Sequence, residues 1–434
     1  MEVADGDHYT TACHADATVF ESHESNVRSY CRSFPAVFQR AKGAIIYAES
    51  GKAYIDFFAG AGGLNYGHNN PFIKERIVAH LQDDGITHGL DFYTTAKRQF
   101  IASFVENILS PRGLDYKLQF TGPTGTNAVE AALKVARKAT GRSGIFAFMG
   151  GYHGMSLGSL AATGNLGSRG GAGVALTGVH FMPFPHGALK GIDSIEYMEA
   201  LLTDSHSGVE KPAAVILETV QAEGGVVPFP TDWLRRLREL CDRHAILMIV
   251  DDIQVGCFRT GPFFSFEPAG IVPDVVTLSK SISGYGLPMS LVLIRPQYDI
   301  WKPGEHTGTF RGHQLAFVGA AAAIDYAREH GVEAQVARKG EWVGRFLKEH
   351  IATLDARLEI RGVGLIWGID FAKAGGSETA NRVSTTCFEN GLIAETCGRR
   401  DAVVKLLPPL TIDDALLEKG CQVIRDATSK CINA

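Results

Sequence analysis

Lys280 and Asp251 are the residues whose type and setting most directly suggest chemistry. Lys280 follows the aliphatic run Val275-Val276-Thr277-Leu278 by two positions and precedes the glycine-bearing turn Ser281-Ile282-Ser283-Gly284, so its amine emerges at the end of a buried strand. An ammonium in apolar surroundings gives up its proton more readily, and the free amine condenses with an aldehyde into a Schiff base. Most lysines are solvated, and a surface lysine at a strand end is the competing reading. Asp251 follows Ile246-Leu247-Met248-Ile249-Val250, a run apolar enough for a central strand. Its carboxylate therefore sits at the carboxyl edge of a sheet, where open α/β folds bind ligands. There it can keep a pyridinium nitrogen protonated and make the ring an electron sink, while the lysine reaches the ring's aldehyde. The alternative for Asp251-Asp252, a metal site, lacks a histidine or third carboxylate at ligand spacing, and no metal is expected.

Two further stretches suit such a ring. Thr124-Gly125-Thr126-Asn127 lies between a strand and a helix, where free N–H groups, a glycine and two hydroxyls form a phosphate cradle or, equally, a capping turn. Gly150-Gly151-Tyr152-His153-Gly154 places an aromatic between glycines at a strand end, able to cover a planar ligand or to fill a core. Gly60 to Gly67 is read as a conformational turn, because the spacing of a dinucleotide fingerprint is not met.

The elements that must position these residues alternate short aliphatic runs with amphipathic segments, which predicts an α/β fold with a mostly parallel sheet covered by helices. Strands are expected at 118–120, 145–148, 179–182, 214–217, 246–250, 275–278 and 291–294, with helices at 126–140 and 232–244. Before them, 44–47 and 54–58 read as strands, and Val27, Tyr30, Cys31 and Phe34 recur at helical spacing. An alanine-rich helix around 317–328 is a candidate hinge. Beyond it come a helix at 342–354, strands at 358–360 and 365–371, a helix at 377–390, a strand at 403–407 and a closing helix with Thr411 as its N-cap. The implied organisation is a disordered tail (1–20), an N-terminal lobe forming part of a small domain (21–66), a large ligand-binding domain (67–328) and a C-terminal small α+β domain (329–434).

Composition narrows the function classes. A chain of 434 residues with 45% hydrophobic and 21% charged residues can bury a large core. A formal charge of -5 gives no basic footprint for nucleic acid, and the longest apolar runs are far short of the roughly 18 residues that span a bilayer. The first twenty residues hold Asp5, Asp7 and Asp16 but no Lys or Arg, so no secretory or transit peptide is expected. Eight scattered cysteines without a CxxC pair read as reduced thiols of a cytoplasmic protein.

Taken in order, Thr124 to Asn127, Tyr152-His153-Gly154, the run Glu218 to Gly225, the run Asp251 to Gly256, Lys280 and Thr307-Gly308-Thr309-Phe310 resemble the motifs of class III, fold type I, pyridoxal phosphate aminotransferases, over almost the whole chain from Glu24. The segments Ser29 to Pro35, Phe57 to Gly62, Thr121 to Glu130 and Trp301 to His306 resemble, more narrowly, the diaminobutyrate:2-oxoglutarate transaminases. The resemblance implies pyridoxal 5'-phosphate carried on Lys280, with Asp251 at its ring nitrogen. It places Gly125 and Thr126 at the phosphate, joined by Thr309 of a neighbouring subunit, with Tyr152 and Ile253 on the ring faces. Gln254 would meet the phenolic oxygen, His153 and Glu218 would lie beside the cofactor, and Glu223 would face the substrate with Glu218. A homo-oligomer, at least a dimer, follows from the shared site.

Two departures from the family pattern stand out. Met155 occupies the position after His-Gly where many relatives, 4-aminobutyrate enzymes among them, carry arginine, and a thioether cannot clamp a carboxylate. Lys405 stands where an arginine that pairs reversibly with the Glu223 position is expected, and a point charge holds a carboxylate more loosely than a planar fork. Arg32 is the candidate for a supplementary cation. The expected reaction exchanges the terminal amine of L-2,4-diaminobutyrate with 2-oxoglutarate, giving L-aspartate 4-semialdehyde and L-glutamate. The rival readings are another ω-aminotransferase acting on ornithine, lysine, a diamine or a biosynthetic aldehyde, a racemase of the same class, and a catalytically silent protein of this fold.

Overall fold

The computed structural model describes residues 17–184, 186, 189 and 191–432. Most of the expected tail, and Cys13 with it, lies outside the described residues, but residues 18–20 of that stretch open a short helix, Thr18–His23.

The strands run in chain order as β1 (Phe38–Lys42), β2 (Ile45–Ala48), β3 (Ala53–Asp56), β4 (Lys117–Phe120), β5 (Ile145–Phe148), β6 (Val179–Met182), β7 (Ala214–Leu217), β8 (Val220–Gln221), β9 (Val227–Pro228), β10 (Leu247–Asp251), β11 (Val275–Leu278), β12 (Leu291–Ile294), β13 (Glu359–Val363), β14 (Ile366–Asp370), β15 (Leu392–Ile393), β16 (Glu395–Cys397) and β17 (Val403–Leu406). The central sheet has the order β4-β12-β11-β10-β7-β5-β6. β10 is buried along its whole length, as a strand covered on both faces must be, and runs parallel to β7 and β11. β12 is antiparallel to β11 and β4. The link from Leu278 to Leu291 makes only a 3-10 turn, without the crossover helix that a parallel return requires.

The helix Gly125–Thr140 lies against this sheet, burying Val129, Ala132, Leu133 and Ala136. Thr124 caps its start, and Gly141 ends it at a positive φ of 69°. The alanine-rich helix spans Gln314–Glu329 and packs on the helices Pro71–Gln82 and Thr95–Phe104, with the Phe317 and Phe100 rings stacked at 5.7 Å.

N-terminal and C-terminal segments meet beside this layer. β15 joins β3 in parallel, completing the sheet β1-β2-β3-β15, while β13-β14-β17-β16 form a separate antiparallel sheet. Arg259, fully buried, ties the halves together, donating to the carbonyls of Leu365 (2.9 Å) and Pro408 and to Oδ1 of Asn65.

Several boundaries differ from those expected. β1 was not anticipated, because its residues are mostly exposed and show no alternation. β3 stops at Asp56, whose carboxylate accepts the N–H groups of Phe58 (2.8 Å) and Ala59 (2.7 Å) and turns the chain. The helix expected at 342–354 begins earlier, at Val332, where Gly331 with φ 58° breaks it from its predecessor. The closing helix spans Asp414–Ile432, and Asp413 rather than Thr411 caps it by accepting the N–H of Leu416 at 2.8 Å. Among the described residues, no helix is long and apolar enough to cross a membrane.

Candidate active site

The register of β10 and β11 pairs Asp251 with Thr277, three residues before Lys280, so both charged groups sit at the same carboxyl edge. The Asp251 carboxylate is held on both oxygens. Oδ2 lies 2.7 Å from Nδ1 of His153, and Oδ1 accepts from the Thr277 hydroxyl (3.1 Å) and the N–H of Ile253 (3.3 Å). Burial disfavours charge on His153, but the hydrogen bond and charge of Asp251, with Glu218 adding to them, outweigh this and raise the imidazole's pKa. Nε2 of His153 is buried without a hydrogen bond.

Lys280 occupies a left-handed backbone conformation, φ 53°, unusual for a side chain with a Cβ. Its neighbours pin it there. The Ser279 hydroxyl donates to the Met289 carbonyl (2.8 Å), and the Ser281 hydroxyl donates to the Gly62 carbonyl (2.7 Å) while accepting the N–H of Asn65 (3.0 Å). Among the described residues the Lys280 amine has no hydrogen-bond partner. Burial lowers its pKa, with Lys405 adding to the effect and Glu223 opposing it. An amine so placed is a nucleophile in waiting.

The residues fit a phosphorylated pyridine aldehyde. The N–H groups of Gly125 and Thr126, first in their helix, meet no acceptor among the described residues. A Cβ on Gly125 would come to 2.9 Å from Cδ1 of Ile253 and 3.6 Å from Cβ of Ser279, so the glycine keeps open the space between helix, ring face and lysine turn. The Thr126 hydroxyl is already engaged with those of Ser156 and Ser159, leaving its N–H for an anion. Gly154 is required behind it, since a Cβ there would lie 2.5 Å from that hydroxyl.

On the open side, Glu218 accepts the N–H groups of Tyr152 (2.9 Å) and Ala222 (3.2 Å). Burial pushes its carboxyl up to about 7, with His153 pulling down and Asp251 pushing further up. Glu223 accepts from Lys405 (2.6 Å) and from the Gln254 amide (3.1 Å), whose oxygen in turn accepts from Lys405 at 3.3 Å. Gln254 also donates to the Ala61 carbonyl (3.0 Å), which attaches the glycine-rich turn to the site. Burial opposes charge on Glu223, but Lys405 and Lys280 hold its carboxyl well below the usual range.

Not every expected residue joins this group. Arg32 is exposed and donates to the Asn26 carbonyl at 3.1 Å; Tyr30 of the same segment is the one that feels Glu395, Glu223 and Lys405. Thr309 lies exposed on a segment whose Phe310 is 63% exposed. Glu395, absent from the expected set, forms an ion pair with Lys405 at 2.9 Å. No local motif announces it, and only the pairing of β16 with β17 brings it there.

Asp252 turns away from its neighbour, accepting the N–H (3.1 Å) and hydroxyl of Ser265. Burial pushes its carboxyl up to about 7, against the pull of Ser265. The folded chain thus keeps a proton that the unfolded chain releases near pH 4, and this contribution to stability, whole below that pH, is lost as pH rises through about 7. Asp252→Asn cannot ionise. Relative to the parent, its stability improves by at least about 1 kcal/mol between pH 5 and pH 8, read from urea midpoints. Parallel curves for the two proteins would show that Asp252 stays ionised in the fold.

Comparison with known proteins sets this geometry among others. The family model described as Aminotransferase class-III matches residues 28–428. A diaminobutyrate--2-oxoglutarate transaminase of Streptomyces avermitilis is 53% identical over 96% of this chain and 99% of its own length. One from Halalkalibacterium halodurans is 51% identical, covering 95% and 96% respectively. Among solved structures, the ornithine aminotransferase of Toxoplasma gondii superposes with a TM-score of 0.82 at 26% identity, over 95% of this chain and 93% of that one. A second structure of that protein is described as having partial occupancy of PLP at its active site.

Proposed function

The chain belongs to the class-III aminotransferase family, and from that premise we propose that it transfers the terminal amine of L-2,4-diaminobutyrate to 2-oxoglutarate, and the reverse. The observation that carries the chemistry is the placement of the Lys280 amine, without a hydrogen-bond partner among the described residues, at the same sheet edge as the His153-held Asp251. The substrate pair rests on relatives at 51–53% identity over nearly their full length.

The cofactor is pyridoxal 5'-phosphate, which when bound supplies an aldehyde that takes up amines and a protonated ring that accepts the electron pair released at the substrate carbon. Lys280 would hold the cofactor through its amine, and as a free amine it would move the proton at the amine-bearing carbon of the substrate. Asp251 holds a proton on the ring nitrogen, and its own charge is anchored by His153. Gly125 and Thr126 would bind the phosphate through their N–H groups, and Tyr152 and Ile253 would cover the ring. Lys405 is the site's cation for the α-carboxylate of glutamate and 2-oxoglutarate. It stays paired with Glu223 while a substrate bearing no carboxylate on its reacting carbon is bound.

We assign Thr309 to the phosphate of a second copy of the chain. Support comes from the surface it lies on, where His88 and Phe310 are in ring contact at 5.3 Å and the neighbouring Phe92 and Tyr93 are 64% and 102% exposed. A cytoplasmic setting is supported by the buried free thiols of Cys241, Cys257, Cys387, Cys397, Cys421 and Cys431.

The test is a donor panel with 2-oxoglutarate, following glutamate by mass. L-2,4-diaminobutyrate is expected to exceed ornithine, one methylene longer, by about tenfold or more in kcat/KM. An equal or better rate with ornithine, lysine or a diamine would replace the substrate assignment, and the absence of label exchange between glutamate and 2-oxoglutarate would remove the reaction.

A further inference from the structure

Two carboxylates lie on Lys405, and they are unlike. Glu223 sits in the turn between β8 and β9 with a side chain 29% exposed, and it accepts two hydrogen bonds. Glu395 sits on β16 directly across from Lys405 in the antiparallel register, and the residue is only 6% exposed. Its Oε1 lies 2.9 Å from the Lys405 ammonium, and among the described residues no other donor reaches that oxygen.

A buried carboxylate short of donors is costly, and an ion pair shared with a second carboxylate compensates it only in part. Two carboxylates share one ammonium here, so burial and Glu223 push the Glu395 carboxyl up while Lys405 and Lys280 pull it down. The group that completes such a site is a cation with N–H donors. Lys405 is fully enclosed and already donates to Glu223 and Gln254. The missing donors must therefore arrive with the substrate.

We propose that Glu395 is a specificity-determining residue that receives the α-ammonium group of the substrate, so that the site selects side-chain amines of α-amino acids over ω-amines lacking an α-amino group. This rests on the reaction assigned above and gives it a selection rule. L-2,4-diaminobutyrate and 4-aminobutyrate differ by that one ammonium: the same chain, the same terminal amine, the same carboxylate.

The experiment measures kcat/KM for these two donors in the wild-type holoenzyme, Glu395→Gln and Glu395→Asp. The wild type is expected to favour diaminobutyrate by about tenfold or more, the scale of a charge-assisted hydrogen bond. Glu395→Gln reduces that ratio by about tenfold, chiefly through the KM for diaminobutyrate, and Glu395→Asp, which keeps the charge, restores part of it. A ratio moving less than about twofold in Glu395→Gln overturns the inference while leaving the reaction intact. Should that variant not fold, the wild type decides, because equal use of the two donors overturns the inference alone. A wild type that uses neither donor overturns both.

Discussion

Replacing Lys280 with alanine lowers transamination by about 10⁴-fold or more, since one nitrogen serves first as nucleophile and then as carrier of the proton at the substrate carbon. Lys405 is the other buried lysine at the site, and it cannot take over. Its ammonium is raised well above its ordinary pKa, burial being outweighed by Glu223 and Glu395, so it is not a free amine at neutral pH. Lys280 is displaced in the opposite direction by the same enclosure. Borohydride treatment followed by mass measurement is expected to fix the cofactor to the wild type and not to Lys280→Ala, and a small primary amine added to the variant should return part of the lost rate. Turnover within tenfold of the parent would mean that another group does this work.

The second large effect is expected at Asp251. Asp251→Asn keeps the shape and removes the charge that holds a proton on the ring nitrogen, and a fall in kcat of about 10²- to 10³-fold follows, as for loss of a preorganised electrostatic partner. The substitution also withdraws the counter-charge that raises the pKa of His153, so that pKa should fall, readable from a pH titration of its ring-proton chemical shifts. Burial supplies no other carboxylate within hydrogen-bond reach of that ring among the described residues. A variant with unchanged kcat would separate Asp251 from the chemistry, and an unmoved His153 titration would show that Asp251 does not set that pKa.

How much of this could be read from residues alone depended on how local the signal was. Asp251 and Lys280 end apolar strands, and burial of such strands in a parallel sheet leaves one place for their last polar residues to go, the carboxyl edge. The helix after Thr124 announces itself by its cap and small apolar face. Glu395 lies in Ala394-Glu395-Thr396, a stretch with no motif, and its meaning depends on a register with Lys405 that only the fold specifies. Tyr30 and Arg32 share one short, exposed helix, and helical spacing could not tell which of them lies near Glu223 and Lys405. Arg259 follows a tight turn and gathers acceptors from three distant parts of the chain, a long-range arrangement invisible to any window. β1, exposed and without alternation, lacked the period on which strand reading depends.

The pairing of β3 with β15 bears on how the protein is made. Ile55 and Asp56 leave the ribosome long before Leu392 and Ile393, their sheet partners. At ordinary elongation rates of about 5–20 residues per second the delay is roughly 20–70 s. Throughout that interval the apolar margin of β3 is an open template for any other nascent strand, including one from a neighbouring polysome. Chaperone dependence and yield during synthesis should therefore track the speed at which the codons between β3 and β15 are translated, independently of how stable the finished enzyme is.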